Sequence, residues 1–182
     1  MRMRIVSILV IIAVIFALPL AAKDKDEKKC LKAGDKFRDF KLPDIEGKLI
    51  KTSNLRKNKV LLLEFTTSWC KNCLKELGEI QILAREIDKE KAQVLEVNVL
   101  TPLEQIRIEL NEQKRKEEYA VLCDFDKKIA NGFFVERTPT IFIVDTKGII
   151  KFIGNEASWK ELKEEIDKYV IKDELIKEEV EK

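Results

Sequence analysis

Trp69-Cys70-Lys71-Asn72-Cys73 concentrates more chemistry than any other stretch of this chain. Its two cysteines follow Val60-Leu61-Leu62-Leu63-Glu64-Phe65, an apolar run that reads as a buried strand. They precede Leu77, Ile80, Leu83, Ala84 and Ile87 at helical spacing. Where a strand hands over to a helix, the first sulfur sits at the positive end of the helix dipole, which favours its thiolate and makes it a nucleophile. The second sulfur comes one turn later, close enough to close a disulfide with the first. The pair reads as a reversible redox switch.

Other chemistries are narrowed by what the chain lacks. It has no histidine, which excludes His-based acid–base catalysis, haem ligation by His and the imidazole sets that commonly hold zinc or copper. Beyond Cys70 and Cys73 only Cys30 and Cys123 remain, too few and too scattered for a zinc site. No metal and no cofactor is expected, so protons must move through carboxylates, Lys, Tyr, Cys or water.

The elements that position the cysteines can be read from patterning. Phe37, Phe40 and Leu42 lead into a turn at Pro43–Lys48, Leu49 and Ile50 start a returning strand, and Ser53-Asn54-Leu55 reads as a short turn. After the strand Val60–Phe65, a helix is predicted from about Lys71 to Asp88, then a strand over Gln93–Val99. Pro102 opens a helix with Leu103, Ile106 and Leu110 on one face. A third strand covers Ala120–Cys123, and a short helix covers Lys127–Val135, interrupted near Asn131-Gly132. Thr140–Val144 and Ile149–Ile153 form a hairpin around Asp145–Gly148, and Trp159, Leu162, Ile166, Tyr169 and Val170 mark a last helix. This order predicts an α/β domain: a central mixed β-sheet flanked by helices.

At the N-terminus, Met1-Arg2-Met3-Arg4 is basic and Ile5–Ala22 is apolar except for Ser7 and Pro19. Residues 1–22 read as a signal peptide or an uncleaved membrane anchor. The run barely reaches the roughly 20 residues of a spanning helix, and a good A-x-A cleavage site is missing. Either reading puts the remainder outside the cytoplasm. Residues 23–34 form a charged lead-in, 35–171 the domain, and 172–182 a charged helical tail. Without Arg2 and Arg4 the 35 basic residues fall to 33, against 33 acidic. A net charge of zero leaves no field to attract nucleic acid, and a monomer is expected. In an oxidising compartment four cysteines suggest two disulfides. Cys30–Cys123 would be the second, closing a long loop worth about 4.5 kcal/mol in the loop-entropy model; the alternative is an exposed thiol at Cys30 and a buried one at Cys123.

Four features resemble the thioredoxin superfamily, and within it the TlpA/ResA-type exported thiol–disulfide oxidoreductases. They are Trp69-Cys70-x-x-Cys73, the lead-in Phe40-x-Leu-Pro-Asp-x-x-Gly47, the Thr138-Pro139-Thr140 strand entry, and a strand–helix unit around Ala120–Val135. The resemblance implies a thioredoxin-like fold with an N-terminal β-hairpin extension and that strand–helix unit as an insertion. It makes Cys70 the attacking thiol and Cys73 the resolving thiol. It also makes Pro139 a cis-proline against the disulfide, with Thr138 and Trp69 beside the substrate. Lys71 and Asn72 replace the Gly-Pro of thioredoxins and tune the potential. Glu64 falls where thioredoxins keep a buried aspartate, and an acid in an all-apolar strand needs an explanation. Glu76 matches a glutamate these reductases carry, although a solvated helix face would also explain it. Either carboxylate could take the proton of Cys73. Implied partners are disulfide-bearing proteins, with the cysteines of cytochrome c precursors as possible clients, and a membrane-bound dithiol electron donor. Two rivals stand: an oxidase of folding proteins, and a thiol peroxidase of peroxiredoxin type. The second has Thr67 three residues before Cys70, but Leu63 where its pattern requires proline.

Overall fold

The computed structural model describes residues 30–112 and 118–180, with side chains as far as Lys172. The apolar segment 1–22 and most of the lead-in lie outside the described residues. In chain order the elements are β1 (Lys41–Pro43), β2 (Leu49–Lys51), α1 (Thr52–Arg56), β3 (Val60–Thr66), α2 (Lys71–Glu86), β4 (Ala92–Val99), α3 (Leu103–Glu112), β5 (Ala120–Asp124), α4 (Lys128–Gly132), β6 (Thr140–Val144), β7 (Ile150–Gly154) and α5 (Trp159–Val180). Their arrangement is thioredoxin-like.

All seven residues of β3 are buried, and this strand is the axis of the sheet. It pairs parallel with β4 and antiparallel with β6, within the order β5-β4-β3-β6-β7. Because side chains alternate across a strand, β3 serves two cores. Val60 and Leu62 face a layer containing Ile80 and Leu83 of α2, Ile106 and Leu110 of α3, and Leu162 and Ile166 of α5. Leu61, Leu63 and Phe65 face a second layer with Phe37, Phe40, Phe133 and Phe142. Phe133 stacks against four other phenylalanines at centroid distances of 5.4 to 5.7 Å.

The N-terminal hairpin is present as β1 and β2, turning at Gly47, whose φ of 85° suits glycine. Asp44 Oδ1 accepts the backbone N–H groups of Glu46 and Lys48 in that turn. The lead-in before β1 runs beside β7: Gly34 N–H donates to the Ile150 carbonyl and Phe37 N–H to that of Gly148. Lys36 forms a bridge with Ile149, and Asp44 forms one with Leu122 on β5, at the opposite edge.

Three expectations are corrected. Ser53-Asn54-Leu55 lies inside the short helix α1 rather than in a turn. The helix expected over Lys127–Val135 is α4 alone: it ends at Gly132, at the expected interruption, and does not resume, Phe134 taking a left-handed φ of 56° just beyond it. Cys30 and Cys123 are not bonded: Cys30 is exposed and Cys123 buried. Cys123 belongs to the β5 edge and to the layer under α2 and α3, whereas Leu31, next to Cys30, packs on the phenylalanine-rich face. Gly34, four residues after Cys30, pairs with Ile150 on β7, the edge of the sheet opposite β5. Among the described residues no helix is long and apolar enough to cross a membrane.

Phe133→Ala should cost about 3–5 kcal/mol, read from the urea midpoint. After denaturation without reductant, the oxidised protein should titrate as two free thiols per chain; none would restore the Cys30–Cys123 bridge.

Candidate active site

Cys70 ends the linker from β3 in an extended conformation (φ −82°, ψ 105°) and is the N-cap of α2. Its Sγ accepts the backbone N–H of Cys73 at 3.0 Å, the place where an N-cap side chain normally puts an oxygen. The linker is held from both sides: Cys70 N–H donates to the Thr67 carbonyl, and Ser68 N–H to Thr101 Oγ1. Cys70 and Cys73 are joined in a disulfide with their Cα atoms 5.2 Å apart. Cys73 is only 4 % exposed, while Cys70 is half-buried, so an incoming sulfur meets Cys70 first. Lys71 and Asn72 are exposed, and Asn72 Nδ2 donates to Glu156 at 3.3 Å.

The Thr138–Pro139 bond is cis. The Thr138 carbonyl oxygen lies 3.4 Å from Cys70 Sγ, which in the disulfide is a close contact and in the thiol form offers an acceptor. Thr138 Oγ1 is 3.4 Å from Thr67 Oγ1. Asn155 secures this loop, its Nδ2 donating to the Pro139 carbonyl at 2.8 Å and to Thr140 Oγ1 at 3.2 Å. Trp69 stands 62 % exposed at the mouth of a cavity of about 180 Å³ that is also lined by Thr67, Leu100, Val135, Arg137 and Thr138. The site thus presents a sulfur, an exposed indole and an apolar recess side by side.

Both expected carboxylates are buried. Glu76 accepts the Ala157 N–H at 3.0 Å, and Glu79 accepts the Trp159 N–H at 2.8 Å, so the acid face of α2 is tied to the start of α5. Burial pushes the Glu76 carboxyl above its ordinary pKa, partly opposed by the Ala157 N–H. Glu64 is 1 % exposed on β3, in register with Glu96 on β4, which is equally buried. Glu96 accepts from Asn98 Nδ2 at 3.4 Å and from the Tyr119 hydroxyl at 3.5 Å. A small cavity of about 20 Å³ runs from Cys73 to Glu96 and Asn98.

Sequence reasoning missed Glu96, Asn98, Glu79 and Asn155. Glu96 carried the same signal as Glu64, an acid inside the apolar run Val94–Val99. Asn155 and Glu79 carried none, because they act by hydrogen bonds to backbone atoms far away in sequence.

Comparison with known proteins decides the family. The AhpC/TSA family model matches residues 33–153. The chain belongs to the AhpC/TSA family. Within that family it is ResA-like: it is 29 % identical over 163 residues to the thiol-disulfide oxidoreductase ResA of Geobacillus thermodenitrificans (strain NG80-2), covering 87 % of this chain and 89 % of the relative. A solved structure from Chlorobium tepidum, described as a thiol:disulfide interchange protein DsbE, aligns with a TM-score of 0.65 at 25 % identity, covering 77 % of this chain and 99 % of that one. The thioredoxin domain of a thiol-disulfide oxidoreductase from Bacteroides vulgatus aligns with a TM-score of 0.66 at 16 % identity over 75 % of this chain and 99 % of that one, and so supports the fold. This AhpC/TSA member is a thiol–disulfide oxidoreductase with a redox-active Cys70–Cys73 pair, and proteins of that activity act on disulfide-containing protein substrates.

A carboxyl raised by folding binds its proton more tightly in the native state, so its contribution is present at low pH and lost as pH climbs from 4.5 through the raised value. Glu76→Gln keeps an acceptor for Ala157 and should lose less stability than the unaltered protein over that climb, as measured by urea unfolding at a series of pH values.

Proposed function

We propose that the protein is an exported dithiol reductase of protein disulfides. The observation that carries this reading is the placement of Cys70 Sγ: it caps α2 through the Cys73 N–H and touches the carbonyl of the residue before cis-Pro139. In the reduced enzyme the Cys70 thiolate attacks a client disulfide, forming a Cys70–client bond as the client's own S–S bond breaks. The extended client segment lies along Thr138, with Trp69 and the recess beside it taking apolar side chains. Cys73 then loses its proton and attacks Cys70, the Cys70–client bond breaks, and the client leaves as a dithiol carrying the two electrons, so that the enzyme is left oxidised as the Cys70–Cys73 disulfide. A membrane-bound dithiol donor restores the thiols. Glu76, buried on α2 three residues after Cys73, is one acid able to receive the Cys73 proton, and Glu64 is another.

Residues 1–22 carry the export part of the reading, as signal or anchor, and the protein acts as a monomer. Lys71 and Asn72 set the potential by their position between the sulfurs. Cysteines of cytochrome c precursors are the client class that the ResA likeness suggests.

Cys70→Ser should abolish reduction of insulin disulfides by this protein, while Cys73→Ser should accumulate mixed disulfides detectable by non-reducing electrophoresis. Turnover retained by Cys70→Ser would overturn the mechanism. Hydrogen peroxide consumption exceeding disulfide reduction would replace it with the peroxidase reading.

A further inference from the structure

Within the dithiol mechanism proposed above, on which this rests, we propose that Glu96, rather than Glu76 or Glu64, receives the proton of Cys73 through a single water held between Cys73, Glu96 and Asn98, and returns it when the disulfide is opened. Three observations converge on this. The cavity touching Cys73 is lined by Thr66, Leu77, Glu96 and Asn98, and its roughly 20 Å³ is room for one water. Asn98 is 2 % exposed, and its Oδ1 has no hydrogen-bond partner among the described residues; a buried acceptor of this kind calls for a donor. The Asn98 Nδ2 donates to Glu96 Oε1, and the Tyr119 hydroxyl donates to Glu96 Oε2, so the carboxylate is held in place beside the cavity.

The groups facing Glu96 come from every neighbouring element. β3 contributes Glu64 in register, β5 contributes Cys123 with Tyr119 just before it, and α2 contributes Cys73. From α3, Glu109 lines the cavity, and Arg107 acts on the same neighbourhood through Cys123. Cys123 itself is pushed up to about 11 by burial, with the charges of Asp44 and Glu96 adding to the rise, so it stays a thiol and is no acceptor. Two positions in the chain thus divide the work: Asn98 is a positioning residue, and Glu96 is the acceptor.

The step balances. The Cys73 thiol gives a proton to the water, which passes one to the Glu96 carboxylate, leaving a thiolate and a carboxylic acid. The thiolate attacks Cys70, the Cys70–Cys73 bond forms, and the Cys70–client bond breaks. The client sulfur leaves as a thiolate that takes its proton from solvent. In the opposite direction Cys73 departs as a thiolate and recovers its proton from Glu96, so the role does not depend on which way electrons flow.

The test uses reduced protein carrying Cys30→Ser, mixed with 5,5′-dithiobis(2-nitrobenzoate). The first coloured thiolate is released when Cys70 attacks and the second when Cys73 resolves, so both steps appear in one stopped-flow trace. Glu96→Gln should slow the second phase roughly 100-fold near neutral pH, with the first phase as internal reference. The gap should close in alkali, where hydroxide replaces the internal acceptor. Glu96→Asp, which keeps the acid, should recover part of the rate. An unchanged second phase in Glu96→Gln, or a slowing that persists undiminished in alkali, overturns the proposal. Should Glu96→Gln fail to fold, the same profile is read on Glu96→Asp: a slowed second phase that recovers in alkali supports the proposal, and one at the unaltered rate at every pH overturns it.

Discussion

The Cys73 N–H donating to Cys70 Sγ at the first turn of α2 is the contact on which the chemistry rests. A helix N-terminus stabilises an anion by about 1 kcal/mol, rising to about 2 kcal/mol when partly buried. The neighbouring Lys71 is exposed, and a charge acting through water contributes less. In the proposed mechanism the Cys70 thiolate is therefore favoured by backbone geometry more than by a charged neighbour. That geometry depends in turn on β3, whose residues from Val60 to Phe65 are fully or almost fully excluded from solvent. A strand pinned on both faces and both edges delivers the linker to one place.

The two halves of the site, the cysteine helix and the cis-proline loop, come from distant parts of the chain. They are referenced to one short segment between β7 and α5. Asn155 holds the Pro139 carbonyl, Glu156 receives Asn72, and the N–H groups of Ala157 and Trp159 bind Glu76 and Glu79. A shift of this segment would move sulfur and proline together, so their spacing is preserved while their common position adjusts. Glu76 accordingly has a structural duty, whatever part it also takes in proton transfer.

How far this could be read in advance depended on the kind of interaction. The strand–helix handover, the mixed sheet and the N-terminal hairpin were legible because β3, β4 and α2 have strong hydrophobic periods and Asp44–Gly47 has turn chemistry. The cis-Pro139 entry was legible only through family likeness, since an isolated Thr-Pro-Thr is an ordinary strand start. The buried acids were half legible: Glu64 stood out in its apolar strand, yet Glu96, with an identical signature, drew notice only once the register placed them side by side. The Cys30–Cys123 pairing stayed open in the sequence because cysteine arithmetic carries no distances; the structure takes the alternative, with Cys30 an exposed thiol and Cys123 a buried one. The Asn155–Trp159 segment was illegible, as its bonds to Pro139, Glu76 and Glu79 each have a main-chain atom at one end, which any residue supplies, and its side-chain bonds to Asn72 and Thr140 join positions far apart in sequence.

The lead-in and hairpin touch both outer strands, through Lys36 with Ile149 at one margin and Asp44 with Leu122 at the other. Open margins of a sheet invite other chains to add themselves as further strands. Here residues 34–44 occupy part of both margins before the chain enters the main sheet, so a further strand from another copy finds neither margin fully open.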